Sequence, residues 1–145
     1  MPIIAKQLYT IHGMLMGLAV VLLLTGVYYA LAKPQGWYNK HRALQLTATA
    51  LVAIAVGVSL YTRSYIDQIK NASGVKHGIA GVALLVVLIL NVAWGIIGNP
   101  NVSRETFFKV HRLLGTVIVV LIVYQFNTGY KVLQTKSVAS SATSK

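Results

Sequence analysis

The chain has 145 residues, of which 56% are hydrophobic and only 10% are charged, and it contains no cysteine. This composition excludes an ordinary soluble domain with a polar surface, and the lack of thiols excludes disulfides and iron–sulfur ligation. The net charge of +11 lies outside the apolar segments. It therefore indicates membrane topology rather than nucleic-acid binding, for which a basic stripe with interleaved aromatic residues would be expected.

Four nearly uncharged segments follow one another along the chain. Each has roughly 20 residues, enough for a helix to cross the hydrocarbon core of a bilayer, about 30 Å. Because the connections are short, consecutive helices should be antiparallel neighbours. We predict an all-α transmembrane four-helix bundle, up-down-up-down, over residues 1–132, with both of its ends on one face, and a polar, disordered tail over residues 133–145. The predicted spans are Leu8–Ala32, Ala43–Thr62, Gly78–Gly98 and Leu113–Tyr130.

Helix-breaking and helix-capping residues separate the spans. Lys33-Pro34-Gln35-Gly36 should end the first helix, and Asn99-Pro100-Asn101 should end the third. Ser103 is a suitable N-cap for the fourth helix, and Glu105 follows in the first turn, where the helix dipole favours an acid.

A histidine stands near the start of every span, at His12, His41, His77 and His111. An imidazole in lipid is costly and usually has a functional reason to be there. Antiparallel threading puts His12 and His77 near one membrane face, named face A, and His41 and His111 near the other, named face B. The sequence therefore predicts two sites with two histidine ligands each.

Two imidazoles on facing helices suit six-coordinate haem iron, because the macrocycle supplies the other four ligands. Zinc or copper sites usually need three or four protein ligands, and no carboxylate lies inside the spans near the histidines. We therefore predict two haem b groups, one bound by His12 and His77 and the other by His41 and His111.

Small residues follow the histidines at helical spacing. Gly81 and Gly115 each come four residues after a histidine and share its helix face, while Gly13 and Gly17 adjoin the first histidine. Such residues predict a slot in which a flat porphyrin lies against the backbone. Tight helix packing favours the same residues, so both interpretations stay open.

Basic residues near the span ends are candidates for binding the haem propionates through charge-assisted hydrogen bonds. They are Lys40, Arg42, Lys109 and Arg112 on face B and Lys76 on face A. Flanking lysine and arginine residues also anchor helices and set topology, which is the alternative interpretation.

Two amides inside the spans, Asn91 and Gln125, each lie fourteen residues after a histidine and on nearly the same helix face. This position predicts contact with the haem at the opposite end of the bundle. An interhelical hydrogen bond is the alternative.

Four segments surround the histidines: Ile11-His12-Gly13-Met14-Leu15-Met16, Lys40-His41-Arg42-Ala43-Leu44-Gln45, Lys76-His77-Gly78-Ile79-Ala80-Gly81 and Val110-His111-Arg112-Leu113-Leu114-Gly115. In this order they resemble the helices of the cytochrome b561 family, including the membrane part of its DOMON-linked members, over about Tyr9 to Val132. The resemblance implies a di-haem protein that moves single electrons across a membrane, often from ascorbate to monodehydroascorbate or ferric iron. Ascorbate-dependent members have six spans and this chain has four, so donor and acceptor stay open.

The preferred function is transmembrane electron transfer from a small reductant to an acceptor on the other side, within a lipid bilayer and without nucleic acid. The cofactor supplies the redox chemistry and the protein positions it. Two alternatives stay open: a cytochrome b subunit that anchors a larger oxidoreductase and exchanges electrons with quinone, and a non-redox membrane protein that binds a divalent metal. A homodimer or a redox partner protein also stays open.

Overall fold

The computed structural model describes residues 3–65 and 72–142, and the described chain forms four long α-helices with no strand among them. The predicted all-α four-helix transmembrane bundle is confirmed. Each helix contains an apolar stretch long enough to cross a membrane. The helices are α1 (Ile3–Ala32), α2 (Trp37–Tyr65), α3 (Ala72–Asn101) and α4 (Arg104–Ala142).

The turn between α1 and α2 lies where the sequence predicts it. α1 ends at Ala32, and the next residue, Lys33, has a φ of 48°. Gly36 has a φ of 70°, a conformation that glycine adopts without a steric cost. Trp37 then begins α2, and its backbone N–H donates to the carbonyl of Pro34 at 2.9 Å.

The start of α4 also agrees with the sequence. Ser103 Oγ accepts a hydrogen bond of 3.3 Å from the backbone N–H of Thr106, which is the contact of an N-cap. Glu105 in the first turn forms an ion pair of 2.6 Å with Lys109, one turn later.

Several helix ends differ from the prediction. α2 and α4 begin before their predicted apolar spans, whereas α3 ends at Asn101, inside the predicted breaking segment Asn99-Pro100-Asn101. α4 continues to Ala142, so its helix runs into the tail for which the sequence predicts disorder, while residues 143–145 lie outside the described residues. The physical reason is that a lipid–water boundary does not by itself end a helix, and residues 130–142 contain no proline or glycine that would interrupt one.

The four helices pack as two hairpins. α1 packs along α2 to form the first hairpin, α3 packs along α4 to form the second, and α2 and α3 share a smaller contact. Fully buried alanines at Ala19 and Ala48 allow the backbones of α1 and α2 to approach closely. The remaining core is made of branched aliphatic side chains: Leu23, Val52, Val56, Leu84, Leu88, Ile118 and Ile122.

The outer surface of the bundle is apolar on every helix. Leu18, Ile54, Leu90 and Val120, one from each helix, are all more than half exposed. A surface of this kind is unfavourable in water and favourable in hydrocarbon. The chain is therefore a membrane protein, with its outward aliphatic side chains available to lipid.

Gly26 marks a close approach between α1 and α2. A Cβ atom at this position would lie 2.5 Å from Nε2 of Gln45, which donates a hydrogen bond of 3.2 Å to the carbonyl of Leu23. We expect Gly26→Ala to displace the amide and to lose that bond, worth about 1 kcal/mol. The matched control is Gly57→Ala, because a Cβ atom at Gly57 would meet no described atom within 4 Å.

Both substitutions add the same helix propensity, so the difference between their unfolding temperatures reports the cost of displacing Gln45, together with the closer contact to Leu44 at 3.4 Å. We expect Gly26→Ala to unfold in detergent at a lower temperature than Gly57→Ala, measured by circular dichroism. Equal unfolding temperatures would show that Gln45 relaxes at no cost.

Candidate functional site

The four histidines meet in two pairs, and each pair takes one residue from each hairpin. The ring centroids of His12 on α1 and His77 on α3 lie 6.1 Å apart, with the ring planes at 79°. Those of His41 on α2 and His111 on α4 also lie 6.1 Å apart, with the planes at 77°. These are the two pairs that antiparallel threading predicts, and all four side chains are half-buried.

The spacing within each pair suits one metal ion held between the rings. Two metal–imidazole bonds of about 2 Å each, together with the two ring radii, separate the ring centroids of opposed ligands by roughly 6 Å. Among the residues that the structure describes, no three His, Asp or Glu side chains come together as a metal-binding group. Among the described residues, each pair therefore offers two imidazole nitrogens and no third His, Asp or Glu donor.

In two of the rings, Nδ1 contacts a backbone carbonyl on the other helix of the same hairpin. Nδ1 of His12 lies 2.9 Å from the carbonyl oxygen of Ala55, and Nδ1 of His41 lies 2.8 Å from that of Gly26. Because a carbonyl can only accept, each contact places the imidazole proton on Nδ1. The lone pair is then on Nε2, which is the arrangement of a metal-ligating histidine.

His77 is held by a hydroxyl group. Its Nδ1 lies 3.1 Å from Oγ1 of Thr128, which in turn donates to the carbonyl of Tyr124 at 3.0 Å. Since the hydroxyl proton is used in that second bond, the oxygen accepts from Nδ1–H of His77. The result is the same tautomer as in His12 and His41.

His111 is held by ring stacking instead. The Phe107 ring lies parallel to it within 7° at a centroid distance of 5.7 Å, and Trp94 stacks on Phe107 at 6.4 Å. Nδ1 of His111 is buried and has no hydrogen-bond partner within residues 3–65 and 72–142. It faces Gly95 of α3, where a Cβ atom would lie 4.0 Å away.

An apolar cleft of about 370 Å³ opens beside His12 and His77. α1 and α4 line its two sides, and Leu84 of α3 contributes to its floor. At Gly13 and Gly17 of α1, which border the cleft, an added Cβ would meet none of the described atoms within 4 Å. The volume is at the lower end of the range for small-molecule sites, about 300–1,000 Å³.

The two glycines predicted to form slots differ from each other. A Cβ atom at Gly115 would have no described neighbour within 4 Å, so this position borders open space. At Gly81, a Cβ atom would lie 2.9 Å from Nε2 of Gln125, which donates to the carbonyl of His77 at 3.1 Å. Gly81 therefore makes room for an interhelical hydrogen bond, as the packing interpretation requires.

Both buried amides retain an unused oxygen. Gln125 is only 7% exposed, lines the cleft, and makes the interhelical bond described above. Its Oε1 and Oδ1 of Asn91 are buried without a hydrogen-bond partner in the described part of the chain.

The basic residues predicted to bind propionates have local partners or face outward. Nζ of Lys40 lies 5.2 Å from the ring centre of Tyr29, and the guanidinium of Arg112 lies 5.8 Å from that of Phe108. Lys109 is paired with Glu105. Arg42 and Lys76 are exposed.

Small residues opposite the histidines were missed by the sequence reasoning. Gly26 and Ala55 each lie fourteen residues after the histidine of their own helix, and their backbone carbonyls contact the histidine ring of the neighbouring helix. In the second hairpin, Gly95 and Gly129 each lie eighteen residues after the histidine of their own helix, and the histidine ring of the neighbouring helix lies beside them. Both spacings are close to whole numbers of helical turns, which is the signal that could have identified these positions.

No protein-family model matches the chain, and neither a curated protein nor a solved structure matches it.

Proposed function

We propose that the protein is a transmembrane electron carrier that binds two b-type haems, one between His12 and His77 and one between His41 and His111. The observation that carries the proposal is the pair of imidazole centroid distances, both 6.1 Å. Each is close to the spacing expected if the two imidazoles held one iron between them, with a haem supplying the other four ligands. The Nδ1 contacts of three rings support it further, since they direct Nε2 away from the hairpin backbone.

The cleft beside His12 and His77 is suited to a flat macrocycle. It opens between α1 and α4, and Gly13 and Gly17 keep its wall free of side chains. On face B, Lys40, Arg42, Lys109 and Arg112 are all exposed and near the ligand helix ends. These residues, with Lys76 on face A, are the proposed partners of the propionates.

The separation of the two histidine pairs along the bundle supports transfer between the two membrane faces. Gly95, which packs against His111, lies eighteen residues after His77 on α3, or about 27 Å along the helix axis. This distance approaches the thickness of the hydrocarbon core. With four spans, both ends of the bundle lie on face A.

The chain's residues limit the chemistry to electron transfer. The haem, when bound, supplies one-electron redox chemistry. Two histidines would hold each haem, which would leave no open coordination position for a substrate such as oxygen. The mostly apolar cleft wall would disfavour water beside the group, and the exposed basic residues favour anionic donors and acceptors. Ascorbate, monodehydroascorbate and ferric chelates belong to that class.

The absorption spectrum of the purified protein, expressed with added haem precursor, tests the proposal. We expect the reduced α band of a b-type cytochrome and two haems per chain by the pyridine haemochrome assay. Electron paramagnetic resonance of the oxidised protein should show low-spin iron with two imidazole ligands. Purified protein without the α band would overturn the proposal, and stoichiometric zinc in that preparation would support the divalent-metal alternative.

A lipid-soluble quinol is a second candidate donor. The cleft opens between two membrane-spanning helices and is lined by apolar groups, so a quinol could reach the His12/His77 site from within the bilayer. This would fit a cytochrome b subunit that exchanges electrons with quinone. Faster haem reduction by a quinol than by ascorbate in proteoliposomes would favour it, and the reverse order would favour the soluble reductant.

A further inference from the structure

The two histidine pairs differ in a single ligand hydrogen bond. In the His12/His77 pair, both Nδ1 atoms have an acceptor, at 2.9 Å and 3.1 Å. In the His41/His111 pair, Nδ1 of His41 has an acceptor at 2.8 Å, whereas Nδ1 of His111 is buried with none among the described residues. The two sites are otherwise alike in ring spacing and ring angle.

An acceptor at Nδ1 changes the ligand electronically. It draws the Nδ1 proton outward and makes Nε2 a stronger donor, which stabilises ferric iron more than ferrous iron. The reduction potential of the iron falls as a result, because second-shell hydrogen bonding is one of the means by which a protein sets it. A ligand histidine without this bond leaves the potential higher.

We infer that the His41/His111 haem has the higher reduction potential, so that electrons pass downhill from face A to face B. The inference rests on the proposed function, because it concerns the two haems proposed above. The hydrogen bonds at the histidine ligands would thus set the direction of electron transfer.

Gly95 is the position at which the missing acceptor can be supplied. A Cβ atom there would lie 3.7 Å from Cε1 and 4.0 Å from Nδ1 of His111, which is ordinary contact without a clash. A hydroxyl on that carbon can reach Nδ1 while donating its own proton to a carbonyl one turn back. Thr128 already makes this double contact with His77 and Tyr124.

The test is a spectroelectrochemical titration of the full-length protein with both haems bound, comparing Gly95→Ser with Gly95→Ala. The two variants have nearly the same volume, and only the serine offers an acceptor. We expect two titrating components in the unmodified protein. The serine variant should lower the reduction potential of the component that titrates at the higher potential, and the alanine variant should leave both potentials unchanged.

A second substitution tests the His12/His77 site by removing an acceptor instead of adding one. Thr128→Val keeps the side-chain shape and removes the acceptor of His77. We expect it to raise the reduction potential of the component that titrates at the lower potential and to leave that of the other component unchanged. The Nδ1 proton of each ligand, observed by NMR in the ferrous protein, should shift upfield when its acceptor is lost.

The outcomes separate this inference from the proposed function. If Gly95→Ser moves the lower component, or moves neither component more than Gly95→Ala does, the assigned direction is wrong although both haems are present. A protein without haem would remove the proposed function itself.

Discussion

Replacing His77 with alanine is expected to remove one haem and to leave the other bound. The reason is that the two ligand pairs lie in opposite halves of the bundle and share no ligand. The variant would leave His12 as the only histidine holding the haem in an open cleft, whereas His41 and His111 would keep their spacing. We expect the haem content per chain to fall to half, measured by the pyridine haemochrome assay against protein concentration.

His111→Ala is the matched variant for the other site. It should also lose half of the haem, and the potential of the haem that remains should differ from that left in His77→Ala. The double variant should bind none, because effects at distant, independent sites add. Loss of both haems in either single variant, with helix content unchanged by circular dichroism, would mean that the sites are coupled and not separate.

Filling the cleft is expected to exclude one haem without touching any ligand. Gly17 borders the cleft, and a side chain there meets no described atom within 4 Å of its Cβ position, so a larger residue enters the open space. We expect Gly17→Leu to weaken haem binding at the His12/His77 site at least tenfold, or about 1.4 kcal/mol. Haem titration of the apoprotein measures the loss.

Gly57→Leu is the control for this substitution. Gly57 is also exposed, also lies within a membrane-spanning helix, and also has space around its Cβ position as far as the structure describes, but it does not line the cleft. We expect Gly57→Leu to keep both haems. Equal binding by the two leucine variants would show that the cleft is not where the macrocycle lies.

The helices and the pairing of the histidines could be predicted from the sequence alone. The length of the apolar segments determines the number of spans, and short connections make consecutive spans antiparallel. A histidine near the start of each span then shares a face with the histidine two spans away. His12 with His77 and His41 with His111 follow from this threading without any knowledge of helix rotation.

The contacts around the rings could not be predicted in the same way. They depend on how each helix is rotated about its axis, which tertiary packing determines. Gly81 looked like part of a slot because it shares a helix face with His77, yet Gln125 of α4 occupies the space beside it. Thr128 was not identified because its role depends on which way α4 faces α3.

The end of α4 could not be predicted for a different reason. An apolar stretch marks the part of a helix that can lie in lipid, not the whole helix, and α4 runs from Arg104 to Ala142, well past the apolar stretch that ends at Val132. The basic side chains near the ends are equally hard to predict, because long flexible chains choose nearby partners. Lys40 over Tyr29 and Arg112 over Phe108 are examples.

The division of each histidine pair between the two hairpins has a consequence for biogenesis. The hairpins touch mainly along α2 and α3, and each proposed haem would be held by one histidine from each hairpin. Each cofactor, bound as proposed, would act as a cross-link between two halves that would insert into the bilayer one after the other. Haem supply would then govern assembly: chains made when haem is scarce would stay as loosely joined halves, open to membrane proteases, and the cell's haem status would set how much carrier accumulates.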